Sequence, residues 1–289
     1  MPAEYPDAPP IEPHAAAPVR RALAKLVAAR HVVALTGAGM STDSGIPDYR
    51  GPNAVPRTQM TFQQFTASEQ ARQRYWARSY VGFAKFRRAD PNRGHIALAR
   101  LQTYRFVDAV ITQNVDQLHE DAGSAPVVDL HGRISEVVCL DCGTVSSREF
   151  LQSRLTAVNP GFLEQYDGAA APDADADIED TDSFRTQPCL ICGGVLKPNV
   201  VLFGENVAKQ KVEHCRQLVE SAAALLVLGS SLHVQSGLRF VRWAAKASIP
   251  IAIVNRGATR GDDFAGIRIE GGCSETLAAL VDDLEDIDT

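Results

Sequence analysis

The chain has 289 residues, 45% of them apolar, with a formal net charge of −6. This length holds one large domain, or one large and one small unit, around a real core, and the acidic balance argues against direct, tight nucleic-acid binding, which needs a basic footprint. No apolar run approaches the roughly 20 residues of a membrane-spanning helix.

The first segment, residues 1–17, is rich in proline and carries Glu4, Asp7 and Glu12, with no Lys or Arg before Arg20. It fits neither a secretory signal nor an Arg-rich transit peptide, so a flexible tail and a cytoplasmic location are expected. Residues 18–30 place Val19, Leu23, Leu26 and Val27 on one helical face. His31 to Thr36 then forms a short apolar run, and similar runs recur at Phe106 to Ile111, Val127 to Leu130, Ala223 to Leu228 and Ile249 to Val254. Such runs suit parallel strands buried on both faces. Helical patterns lie between several of them, at Ala67 to Arg88, Pro91 to Thr103 and Leu238 to Ala247. The alternation predicts an α/β fold with a doubly wound parallel sheet, spanning residues 18–134 and 201–289. Arg72, Arg74, Arg78, Arg87 and Arg88 fall in the first helical pattern and read mostly as a solvated face.

Residues 135–200 break the rhythm and predict an inserted small module. Two C-x-x-C pairs, Cys139/Cys142 and Cys189/Cys192, are followed by Gly143 and Gly193. Each pair forms a knuckle that points two sulfurs at one metal, and two knuckles make a closed four-thiolate site of the kind that holds one structural zinc. The stretch between them includes an acidic, small-residue segment at 168–182, expected to be a mobile loop. Cys215 and Cys273 stand alone and read as small buried hydrophobes.

Gly37-Ala-Gly follows the first strand directly. A glycine turn there, with the N-terminus of a following helix, lets backbone N–H groups approach a phosphate. The hydride-transfer fingerprint is not met: its third glycine position is Thr42, and no Asp or Glu occurs between Asp48 and Glu69.

The longer string Gly37-Ala-Gly-Met-Ser-Thr-Asp-Ser-Gly-Ile-Pro-Asp-Tyr-Arg50 resembles the NAD-binding signature of sirtuins, with Tyr49 where that family usually has Phe. Further along, Thr112-Gln-Asn-Val-Asp116 is similar to the family's nicotinamide-pocket motif and Leu130-His-Gly132 to its catalytic histidine motif. Lys197 to Glu205 resembles its substrate loop, and Gly229-Ser-Ser-Leu-His-Val234 and Val254-Asn255 its later nucleotide-binding loops. These motifs fall in family order. The long insertion and the string Gly229 to Gly237 look most like class II members.

The resemblance implies an NAD-dependent protein-lysine deacylase, which breaks the nicotinamide–ribose bond and moves the acyl group to ADP-ribose. It implies His131 as general base, a role suited to a group that titrates near neutrality. Asn114 and Asp116 would hold the carboxamide, with Ile46 and Val115 as apolar walls. Gly37, Ala38, Gly39, Ser41, Pro47, Asp48, Tyr49, Arg50, Gln113, Gly229, Ser230, Ser231, Asn255 and Cys273 would complete the NAD site. Val201, Phe203, Gly204, Glu205, Leu232 and Val234 would face an acyl-lysine protein or peptide, which could pair by strand addition. His119 reads as structural and His233 as a loop residue beside the substrate. Tyr75 and Arg78, three apart on a helix, resemble the pair with which some sirtuins grip acidic acyl groups; equally, Arg78 belongs to the solvated basic face and Tyr75 to the core. Protein mono-ADP-ribosylation at the same site, or an idle NAD-binding or zinc scaffold, are the competing functions.

Overall fold

The structure is a computed structural model that describes residues 17–51, 54, 58–166, 174–178 and 180–288. Nearly all of the expected tail, and residues 168–173 and 179 of the expected acidic loop, lie outside the described residues. In chain order the elements are α1 (Ala17–Ala28), β1 (Val32–Thr36), α2 (Phe62–Ala67), α3 (Glu69–Phe86), α4 (Arg93–Thr103), β2 (Val107–Thr112), α5 (Leu118–Asp121), β3 (Val127–Asp129), β4 (Gly132–Cys139), β5 (Val145–Ser147), α6 (Arg148–Val158), β6 (Leu196–Val200), α7 (Lys209–Ser221), β7 (Ala224–Leu228), α8 (Gln235–Lys246), β8 (Ile251–Asn255), β9 (Ile267–Glu270) and α9 (Cys273–Asp288).

The five apolar runs become β1, β2, β3, β7 and β8 of one parallel sheet, ordered β3-β2-β1-β7-β8-β9. Successive side chains of a strand point to opposite faces, and the two cores divide accordingly. Val32 and Ala34 of β1, Leu226 of β7 and Val254 of β8 pack under α1, α4 and α9 with Leu23, Leu98 and Leu277. Val33 and Leu35, with Leu225, Val227 and Ile253, pack on the other face with Val219, Leu238 and Val241 of α7 and α8. Every residue of β1, β7 and β8 is buried, which explains why these strands read as unbroken apolar runs. Among the described residues no helix is long and apolar enough to cross a membrane.

Two helical patterns are cut shorter than the sequence suggests. The segment from Ala67 divides at Ser68, which is extended (φ −156°, ψ 162°), so α2 ends and α3 begins there; Ser68 Oγ accepts the Ala71 N–H at 3.1 Å. Asn92 delays α4 by accepting the N–H groups of Gly94 and His95. Helices α6, α7 and α9 and strand β9 were not apparent from hydrophobic spacing.

A second, antiparallel sheet, β5-β4-β6, carries the cysteine pairs. Its core joins Val137, Leu151, Leu155 and Leu196 to Phe65, Trp76 and Tyr80 of α2 and α3, and extends to Ile46 and Leu118. Part of the expected acidic loop is seated on this core. Ala174, Ala176 and Ile178 are buried, and the alternation with Asp175 and Asp177 turns apolar side chains inward. Gly82 of α3 makes this possible, because a Cβ there would collide with the Ala174 carbonyl; the Ala176 N–H donates to the Arg78 carbonyl at 3.2 Å.

Strand β4 starts beside His131, where Gly132 adopts φ +85° and a Cβ would run into the Asn199 carbonyl of β6. Gly132→Ala combines a left-handed residue, costing about 1–2 kcal/mol, with that collision. It is expected to lower the urea-unfolding free energy by at least about 2 kcal/mol, read as a lower midpoint at unchanged slope.

Candidate active site

Neighbouring strands β1 and β7 connect away in opposite directions, to β2 and to β8, so a crevice opens at their carboxyl ends, as at the switch point of doubly wound sheets. The loops leaving them touch backbone to backbone. Gly37 N–H donates to the Leu228 carbonyl at 3.0 Å and Gly39 N–H to Gly229 O at 2.8 Å. A Cβ at Gly39 would lie 2.9 Å from Gly229 Cα, and one at Gly37 2.8 Å from Ser230 Cβ. The glycine turn is not followed by an α-helix as the sequence suggests. It continues as two single 3₁₀ turns, Ala38–Met40 and Thr42–Ser44, closed by Gly45 at φ +82°. Any anion here meets loop N–H groups rather than a long helix N-terminus.

Behind this loop sits a buried polar chain. Asn114 Nδ2 donates to the Gly37 carbonyl at 3.1 Å and to Ser41 Oγ at 3.0 Å, and Ser41 Oγ–H donates to Asp116 Oδ2 at 2.6 Å. Burial raises the Asp116 carboxyl above its ordinary range, while the hydrogen bonds from Ser41 and the Leu118 N–H oppose the rise. His119, read as structural from the sequence, is buried and bonds Thr36 Oγ1 at 2.9 Å through Nε2. Desolvation holds it well below the usual histidine range, so it is neutral.

His131 lies between β3 and β4. Its Nδ1 is 2.8 Å from the Gln113 carbonyl, which can only accept, so Nδ1 carries the proton. Its Nε2 is therefore the lone-pair nitrogen, and Ser236 Oγ–H donates to it at 2.8 Å. Burial lowers the imidazole to about 4, partly offset by the Gln113 hydrogen bond and reinforced by the positive charges of Lys211 and Arg239. The ring is neutral at pH 7 and able to take a proton at Nε2.

These groups line one cavity of about 360 Å³. It collects Gly37, Ala38, Gly39, Ser41, Ile46, Asp48, Tyr49, Arg50, Gln113, Asn114, Val115, Asp116, His131, Gly229, Ser230, Ser231 and Asn255. Of the residues expected in the NAD site, Pro47 and Cys273 line instead a neighbouring cavity of about 220 Å³ that shares Gly39, Asp48, Gly229 and Asn255. The expected substrate residues Tyr75, Val201, Phe203, Gly204, Glu205, Leu232 and Val234, and the loop residue His233, also line the main cavity.

Two of those residues are engaged differently from the expectation. Glu205 turns its carboxylate back into its own loop, accepting from Lys197 Nζ at 3.0 Å and the Leu202 N–H at 2.8 Å, so it shapes the loop's backbone. Arg78 is absent from the cavity wall; its Nε donates to Asp175 at 2.9 Å, and Asp175 itself lines the cavity. The loop at Phe203 already pairs with another segment: it bridges Thr61 in parallel, and its carbonyl accepts the Phe62 N–H at 2.8 Å. Sequence reasoning missed Asp175, Gln235, Ser236 and Arg239, which also line the cavity. Ser236 lies inside the string Gly229 to Gly237; Asp175 is supplied by the insertion, and no local pattern marks it.

The four cysteines converge as the spacing predicts, with ligand atoms within 4.8 Å of one another. Cys139 and Cys192 sulfurs are 3.5 Å apart and Cys142 and Cys189 sulfurs 3.9 Å. A tetrahedron with metal–sulfur bonds of about 2.3 Å has edges of about 3.8 Å, so the set fits zinc. The knuckles match: Gly143 N–H donates to the Cys139 carbonyl and Gly193 N–H to that of Cys189, with both glycines left-handed.

The Sir2 family model matches residues 37–236. The chain is 53% identical over 271 residues to NAD-dependent protein deacetylase 1 of Mycobacterium avium (strain 104), covering 92% of this chain and 96% of that protein. It is 53% identical over 257 residues to NAD-dependent protein deacetylase 1 of Streptomyces coelicolor, covering 88% and 86%. Among solved structures it resembles Sir2 bound to a p53 peptide and NAD+, with TM-score 0.73 and 29% identity over 93% of this chain and 99% of that one.

Structural zinc contributes folding free energy directly. Purified protein is expected to hold one zinc per chain by atomic absorption. Cys142→Ser should lose the metal and lower the melting temperature; a metal-free wild type with unchanged melting would contradict the site.

Proposed function

The chain belongs to the Sir2 family, and from that premise we propose a site at which His131 acts as general base in NAD-dependent protein deacylation. NAD, when bound, supplies a ribose carbon that loses nicotinamide and accepts the acyl oxygen of a modified lysine. The main cavity and its neighbour fit a dinucleotide, because their shared wall of Gly39, Gly229 and Asn255 leaves room for backbone to approach a pyrophosphate. Asn114 and Asp116 serve the carboxamide end beside Ile46 and Val115, and Gln113, Ser230, Ser231 and Asn255 the ribose and phosphates. The thiolates of Cys139, Cys142, Cys189 and Cys192 hold zinc in a closed site, without a part in the chemistry. The insertion supports a class II assignment.

The observation that carries this reading is the fixed tautomer of His131. The Gln113 carbonyl holds the proton on Nδ1 and leaves the lone pair on Nε2, which meets the Ser236 hydroxyl at the cavity wall. A base near 4 stays deprotonated at working pH but has little proton affinity. Lys211 and Arg239 hold that affinity down, so a bound group that neutralised their charge would raise it. Holding acyl oxygen, ribose and base together removes most of the entropic part of the barrier.

His131→Ala is expected to keep NAD binding, measured by calorimetry, and to lose about 10²–10⁴-fold in turnover, the usual contribution of a positioned acid or base. Near-normal turnover in a folded variant would refute the role.

The acyl end follows from the Arg78–Asp175 pair. Asp175 occupies the guanidinium, so the charge with which Arg78 alone would attract an acidic acyl chain is already neutralised. The native enzyme is expected to prefer acetyl-lysine over succinyl- and glutaryl-lysine peptides in kcat/KM. Asp175→Asn should narrow that ratio about tenfold, a hydrogen bond to a charged group being worth about 1.5–3 kcal/mol. An unchanged ratio would show that neither side chain reads the acyl group.

A further inference from the structure

The neutral imidazole of His131 has one lone pair, and Ser236 already occupies it. Its hydroxyl lies 2.8 Å from Nε2, within the separation at which a proton donor to a general base must sit. Ser236 is no mobile surface serine. It stands in the first turn of α8, where Gly237 N–H donates to the Val234 carbonyl at 3.2 Å. That turn is pressed against Gln113: a Cβ on Gly237 would lie 2.5 Å from Gln113 Oε1. Gln113 is pinned from its other side, its Nε2 donating to the Thr36 carbonyl at 3.1 Å and to Ser230 Oγ at 2.8 Å. The ring of His131 is thus gripped at both nitrogens by two elements that also touch each other.

We propose that Ser236 is a positioning residue for the base: its hydroxyl holds the Nε2 lone pair, keeps the imidazole aimed into the cavity, and is displaced by the ribose hydroxyl whose proton His131 takes. This rests on the reading of His131 as the base. The proton balance is simple. The ribose O–H gives its proton to Nε2, Nδ1–H stays on the Gln113 carbonyl, and Ser236 keeps its own proton throughout.

A donor to Nε2 stabilises only the neutral ring. It acts with the groups already facing the imidazole, namely burial and the charges of Lys211 and Arg239 on one side and the Gln113 carbonyl on the other. Removing the hydroxyl must therefore raise the proton affinity of His131 and free its lone pair. A residue that merely packed would change neither.

The test uses the full chain as Ser236→Ala and Ser236→Thr, with the His131 imidazole titrated by NMR and assigned by its absence in His131→Ala. In Ser236→Ala the titration midpoint is expected to rise by about one pH unit, the scale of one neutral hydrogen bond. The acid limb of kcat/KM should move with it. Ser236→Thr, which keeps the hydroxyl, should restore the wild-type midpoint. An unchanged midpoint in Ser236→Ala would overturn the proposal. So would a Ser236→Thr midpoint that stays with that of Ser236→Ala although the hydroxyl is restored. The titration reads the contact without catalysis, so a failure of the base assignment, seen as turnover in His131→Ala, is distinguishable from a failure of this one.

Discussion

The site depends on a contact that no side chain makes, the approach of Gly39 to Gly229. One N–H to carbonyl bond of 2.8 Å ties the loop after β1 to the loop after β7. A side chain on either glycine would lie within about 3 Å of the other's backbone. The bond sets how far the two loops stand apart and so the width of the crevice. The rest is built outward from it. Ser230, next after Gly229, accepts from Gln113; Gln113 presents its carbonyl to His131; Asn114 donates back to the Gly37 carbonyl. His131 is oriented relative to the glycine loops through three hydrogen bonds, with no flexible side chain longer than a glutamine between them.

Such an arrangement puts polar groups where water is scarce, and an unpaired buried group would cost about 1–3 kcal/mol. Most of these groups are paired, the buried His119 Nδ1 being left without a partner. Asn114 donates to Ser41, Ser41 to Asp116, and Asp116 also accepts the Leu118 N–H. His119 and Thr36 extend the chain beneath, with Thr36 Oγ1 donating to Thr112 and Thr112 accepting the Asn114 N–H. Burial pushes the Asp116 carboxyl up and both histidines down. The same desolvation that keeps His131 deprotonated therefore makes Asp116 a group whose charge depends on Ser41 and Leu118.

How much of this the sequence revealed follows from what each signal measures. Strands β1, β7 and β8 were legible because burial on both faces leaves an unbroken apolar run. The cysteine cluster was legible because two-residue spacing is itself the geometry of a knuckle. Helix α7 was not, since only Cys215 and Val219 of its residues are buried and most of the rest is polar. The site residues fell into place as motifs, but motifs name residues and not their partners. Glu205 matched a substrate loop, yet its carboxylate serves Lys197 and Leu202. Arg78 matched an acyl reader, yet its partner Asp175 stands 97 residues away on the insertion. Long-range pairing decides what a charged side chain does, and spacing along the chain carries no record of it.

The insertion shows how that pairing reaches the chemistry. One strand, β4, begins beside His131 and ends at Cys139, so the cysteine cluster anchors the far end of the strand that starts at His131. Around it, the core of the second sheet continues through Trp76 and Tyr75 to Ile46, a wall of the cavity. Tyr75 packs edge-on against Phe65 and Trp76, with ring centroids 5.2 and 5.4 Å away, and cannot shift alone. Ala174, Asp175 and Ala176 are laid on α3 at Gly82, directly beside this wall. Zinc module, helix pair and insertion thus form one packed body whose inner face lines the cavity at Ile46, Tyr75 and Asp175, while the loops leaving the parallel strands line it at Gly39 and Gly229. Because the hydrogen bonds that hold His131 come from Gln113 and Ser236, substitutions in residues 174–178 can reshape the wall at Asp175 without disturbing them.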